Sequence, residues 1–188
     1  MKTRLVGFRS EKAAQFSALL IQREGGRISK LKLAKLLYLA ERESVAERGL
    51  PIFYDEFYSL EHGPIGTHTL DAINKDSRDN QLWAHYITVE SKKEISAAGR
   101  KTAEEMDQLS KSDLAILENI WKKFGWMTPT QVRNWTHENC GEYVEVPKGT
   151  NLPITYESLY KELGYEEAAK MASYIDEYRS SEASLAAE

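Results

Sequence analysis

Apolar residues recur at helical spacing through most of the chain. Ala13, Phe16, Leu19 and Leu20 fall three and four apart, predicting a first helix from near Ser10, with Glu11 in its opening turn. Gly25-Gly26 should stop it. A second helix is expected from Ser29, which is placed as its N-cap. Leu33, Leu36, Leu37, Ala40 and Ser44 share one face, while Leu31, Tyr38 and Leu39 cover much of the rest. So wide an apolar arc describes a helix packed on several sides. It should be the central helix, ending before Gly49, with each leucine contributing roughly 1.5–3 kcal/mol by burial.

Pro51 to Gly63 is aromatic-rich without helical spacing and reads as an extended segment with a turn. Pro64 then directs the chain into a short helix carrying Leu70 and Ile73. Leu82 to Val89 alternates as a strand, with Trp83, His85, Ile87 and Val89 on one side. Ser91-Lys92-Lys93 turns it toward a short partner at Glu94-Ile95-Ser96, a hairpin that must lean on helices. Asp113 to Phe124 aligns Leu114, Leu117, Trp121 and Phe124 and ends at Gly125. Thr128-Pro129-Thr130-Gln131 is a helix start with a capping box, and that helix carries Val132 and Trp135 inward. A short helix from Thr155 holds Leu159 and Leu163 and stops at Gly164. The last helix groups Tyr165, Ala168, Ala169, Ala172 and Ile175.

The expected fold is mainly α with a minor β-hairpin, a bundle of about six or seven helices around the Leu-rich one. It forms a single domain over residues 1–179, with a flexible tail at 180–188. A hydrophobic fraction of 41% against 29% charged residues excludes a chain too polar to fold. The opening Met1-Lys2-Thr3-Arg4 and the lack of a long apolar run predict neither a secretory signal nor a membrane span. Cys140 is the single cysteine, which excludes an internal disulfide and suits a reducing, cytoplasmic compartment. A net charge of −4 with scattered basic residues disfavours binding to nucleic acid.

Three islands resemble the Panacea domain, an antitoxin family of bacterial and phage toxin–antitoxin systems. Lys30-Leu31-Lys32-Leu33-Ala34-Lys35-Leu36-Leu37-Tyr38-Leu39-Ala40 is similar to the family's K-L-x-K-L-L-Y helix, with Lys30, Leu33, Leu36, Leu37 and Tyr38 as motif positions. Gly49-Leu50-Pro51-Ile52-Phe53, running on to His62-Gly63-Pro64, is similar to its G-x-P-L-F and G-P-V elements. Thr136-His137 matches its closing Thr-His pair. The likeness is strongest over residues 25–145. It departs at Tyr143, where the family often has a tryptophan, and no helix-turn-helix is appended. The resemblance implies an antitoxin that neutralises a cognate growth-inhibiting toxin by direct protein contact, without catalysis or cofactor. It names neither the toxin nor the stoichiometry.

Read as chemistry, Gly63-Pro64 is a turn whose histidine can hydrogen-bond it, and His137 near a helix end can satisfy free carbonyls. If the two motifs meet, they form one polar element between helices. Among four histidines and one cysteine, His62 with His68 and His137 with Cys140 offer too few ligands for a structural metal site. A Cys140–His137 nucleophile pair is the sharpest enzyme alternative, a cysteine- or metal-dependent hydrolase, but no known signature surrounds it. An adaptor of the same fold is the other alternative. Candidate partner-binding residues are the aromatics off the core stripes, Tyr54, Tyr58, Trp126, Tyr143, Tyr156 and Tyr160. Glu41, Glu43 and Glu47 offer an acidic helical face.

Overall fold

A computed structural model of the chain describes residues 7–185. Its axis is helix α2 (Lys30–Arg48), against which α1 (Ser10–Arg23), α3 (Thr67–Asn74), α5 (Lys111–Phe124), α6 (Pro129–Asn139) and α7 (Tyr156–Glu162) all pack. Leu33, Leu36, Leu37, Tyr38, Leu39 and Ala40 are each buried, so the wide apolar arc reports a helix enclosed on nearly every side. Gly49 ends it in the left-handed conformation, with φ +71° and its N–H on the Val45 carbonyl.

Two small antiparallel sheets flank the bundle. Strands β1 (Arg27–Ser29), β4 (Ile87–Val89) and β5 (Glu94–Ala97) are ordered β1-β5-β4, with Ile28 opposite Ile95. Strands β2 (Phe57–Leu60), β3 (Gly63–Gly66) and β6 (Leu152–Ile154) are ordered β3-β2-β6, with Ser59 opposite both Pro64 and Leu152. The remaining helices are α4 (Asn80–Ala84) and α8 (Ala168–Leu185), the latter packed on α7. No helix among the described residues is long and apolar enough to cross a membrane.

Several local expectations change. The strand expected from Leu82 begins only at Ile87. The residues before it form α4, because Trp83 is drawn into the core, where its indole N–H donates to Ser10 Oγ at 3.0 Å. His85 is exposed and does not share that face. Ser29 makes no side-chain cap; it pairs with Glu94 in β1, and the helix starts straight from the strand. Pro64 lies inside β3 rather than opening a helix. On α5 the interior stripe is Asp113, Ile116, Leu117, Ile120 and Phe124, leaving Leu114 and Trp121 half-buried. Ala169 faces solvent. The segment 180–185, expected as tail, continues α8; residues 186–188 and the opening Met1 to Arg4 lie outside the described residues.

Candidate functional site

The lysines that interrupt the leucine-rich segment are tethers. Lys30 Nζ donates to Asn74 at the end of α3, 3.2 Å away. Lys32 Nζ donates to Glu24 after α1 and to the Gly125 carbonyl after α5, and it lies over the Trp121 ring. Lys35, fully buried, donates to the Pro64 carbonyl at 2.7 Å. Burial pulls its ammonium down to about 7, because no carboxylate touches it. One helix thus joins four neighbouring elements through three buried cations.

Around Lys35 the three sequence islands converge. Gly63 has φ +94°, and a Cβ there would stand 2.8 Å from Lys35 Nζ and 2.8 Å from His137 Nε2. Only glycine lets strand, lysine and imidazole approach so closely. His137 Nε2 is buried without a hydrogen-bond partner among the described residues. Burial also lowers the pKa of that ring below the ordinary histidine value, against an opposing hydrogen bond with the His62 backbone. The His137 ring stacks on Tyr143 at 4.6 Å between centroids. Thr136 is fully buried and returns its hydroxyl to the Arg133 carbonyl at 2.7 Å. The His62 side chain is exposed, so of that motif only the backbone joins the polar element.

A second cluster continues from the first. Tyr38 donates its hydroxyl to Glu142, which also accepts from Arg42 Nε at 2.8 Å. Val144 N–H donates to Ser59 Oγ at 3.1 Å and Tyr143 O–H to the Leu60 carbonyl at 3.3 Å. Residues 142–144 are therefore fastened to α2 and β2 immediately after α6. Cys140 is buried here, and its thiol is pushed up to about 12, mainly by desolvation. Such a shift favours the thiol over the thiolate, the more nucleophilic form.

Glu41 and Asp55 form a buried acidic pair of elements. Glu41 accepts the backbone N–H groups of Ile52, Phe53 and Asp55, holding the chain after α2. Asp55 accepts from His68 N at 2.9 Å and Thr69 N at 3.0 Å, stitching that chain to the start of α3. Burial lifts Glu41 to about 7 and raises Asp55. The expected acidic face on α2 is not a continuous free surface: Glu41 is interior, Glu43 pairs with Lys123 at 2.5 Å, and exposed Glu47 accepts from Asn119.

The candidate partner-binding aromatics separate. Tyr54, Tyr156 and Tyr160 are core residues and offer no surface, a correction whose cause is their polar tips. Tyr156 donates to the Asp55 carbonyl and Tyr160 to the Gly49 carbonyl, while Tyr54 packs on Tyr178 beneath Arg9. A buried ring with a satisfied hydroxyl looks identical in sequence to an exposed one. Tyr58 and Tyr143 are half-buried, and Trp126 is 71% exposed in the α5–α6 turn.

Lys35, Arg42, Asp55 and Glu142 were not singled out from sequence, and Glu41 only as part of an acidic helical face. For Lys35 a signal was present: it stands three residues before Tyr38 and four after Leu31, inside the apolar arc. Glu142 and Arg42 carried none. Among the described residues no group of three or more His, Cys, Asp or Glu side chains is placed to hold a metal ion.

No curated protein and no solved structure matches the chain. A family model does: the one described as antitoxin SocA-like, Panacea domain, matches residues 33–142. That span holds Lys35, Gly63, Pro64, Thr136, His137 and Glu142, the residues that meet beside α2. With more than half of its length matched, this chain belongs to the SocA-like antitoxin family with a Panacea domain.

Proposed function

We propose that the protein neutralises a cognate growth-inhibiting toxin by binding it directly, and that it does so without catalysis in a bacterial or phage cytoplasm. The observation that carries this reading is the internal use of the motif residues. Lys35 is spent on the Pro64 carbonyl, Tyr38 and Arg42 on Glu142, and Thr136 on its own helix. Cys140, the nucleophile of the rival hydrolase reading, is sealed in its thiol form. Groups committed in this way support the reading of a scaffold over that of a catalytic site.

What the scaffold presents is apolar side chain to water. Trp126, Val144 and Leu152 are each more than two-fifths exposed, and Val144 and Leu152 both flank Ser59. An exposed tryptophan such as Trp126 is of the residue type that dominates binding energy at protein interfaces. The test is the protein encoded beside this one. Expressed alone it should arrest growth, and co-expression of this chain should relieve the arrest and yield a complex on pull-down. A harmless neighbour would overturn the proposal.

A further inference from the structure

A groove of about 780 Å³ runs between the C-terminal half of α1, α5 and the segment following β5, away from the motif cluster. Its floor is apolar, with Leu19 and Leu114 partly buried beside fully buried Leu117. Its rim is basic: Arg23, Arg100 and Lys101 stand on it against one carboxylate, Glu118. Arg23 pairs with Glu118, but both are about half-exposed, and a solvent-screened pair is easily given up for a new partner. Lys101 lies over the Tyr86 ring, and Arg100 has no ion-pair partner among the described residues. Gly25, Gly26 and Gly99 keep the margin open; a Cβ on any of them would meet nothing within 4 Å.

We infer that this groove receives an acidic amphipathic segment of the partner protein. Its apolar side chains seat on Leu19 and Leu114, and its carboxylates face Arg23, Arg100 and Lys101. Charge complementarity against the background of the whole molecule favours this occupant. The chain carries a net −4, so a locally basic groove attracts what the rest of the surface repels. The leucine floor selects a peptide over a nucleic-acid backbone, which needs cations but no apolar bed. The inference rests on the reading of this chain as a protein-binding module, yet testing it requires no toxin.

A random peptide library selected on the purified full chain should enrich sequences that combine Leu, Ile or Phe with Asp or Glu. Their affinity should fall at least tenfold in Arg100→Glu/Lys101→Glu and weaken as salt is raised. Arg100→Glu alone, at an exposed position, should give an intermediate loss with an unchanged melting temperature. Enrichment of peptides without acidic residues, or equal binding by the double variant, would overturn the inference. So would displacement of the peptides by a DNA duplex, or a concentration-dependent self-association abolished by the same substitutions, which would make a second copy the occupant. A harmless neighbouring protein would end the toxin reading and leave this result standing.

Discussion

Lys35 and His137 face one another across Gly63, their Nζ and Nε2 atoms each 2.8 Å from the point where a side chain on that glycine would begin. Burial lowers the pKa of both, shifting each toward its neutral form relative to the free side chain. The centre of the family motif is therefore a place where two bases are buried and one glycine makes room for them.

The lysine makes stability depend on pH. An unfolded lysine keeps its proton up to about 10.5, whereas folded Lys35 releases it near 7. Between those values the unfolded chain binds the extra proton, so stability rises with pH; below about 7 both states are protonated and the slope vanishes. The slope should approach one proton, about 1.4 kcal/mol per pH unit. Denaturant melts from pH 7 to 10 should show this rise in the native chain and lose it in Lys35→Met. An equal slope in both would refute the assignment.

Glu41 acts in the opposite direction and in a lower window. Its folded value near 7 lies above the ordinary 4.5, so its contribution is complete below about 4.5 and is lost as pH climbs to 7. Glu41→Ala should cost more than about 3 kcal/mol at pH 5, because three backbone N–H groups lose their acceptor. A loss under 1 kcal/mol would mean that water replaces the carboxyl group.

Gly63→Ala should destabilise the fold by more than about 2 kcal/mol, combining positive-φ strain with a clash against Lys35 and His137. Gly99→Ala is the control. It shares a positive φ of +84° but meets nothing within 4 Å, so only the strain, about 1 kcal/mol, should appear. Equal losses at the two sites would remove the packing argument.

Cys140 should resist alkylation. With its thiol at about 12 and its side chain buried, iodoacetamide at pH 8 should label the native chain only as fast as it opens, and label it promptly in denaturant. Rapid native labelling would revive the nucleophile.

Trp126→Ala should leave the melting temperature nearly unchanged, within about 0.5 kcal/mol, since 71% of the residue already lies in water. The toxin complex should weaken by more than about 2 kcal/mol, or roughly thirtyfold in Kd by titration calorimetry. Undiminished affinity would move the docking face elsewhere.

The helices were legible because their information is local. Thr128-Pro129 and Gln131 announce α6, and the cap they form is present, with the Gln131 N–H on Thr128 Oγ1. The Ser91–Lys93 turn and its partner strand were legible for the same reason. Trp83 misled because alternation over a few residues cannot reveal that an indole will reach Ser10, seventy-three positions earlier. The tyrosines misled because exposure depends on what a hydroxyl meets: the partner of Tyr160 lies 111 positions away.

By itself, the order of residues determined the mainly helical class, the central place of the leucine-rich helix and the three islands of the family motif, since spacing and short-range caps suffice for each. Folding decided what those islands do. It set Lys35 on a carbonyl 29 positions distant, Tyr38 on Glu142 a further 104 apart in the chain, and Gly63 under His137. The physical reason is that burying a charge or an amide requires a partner, and the partner is supplied by topology rather than by neighbours in sequence.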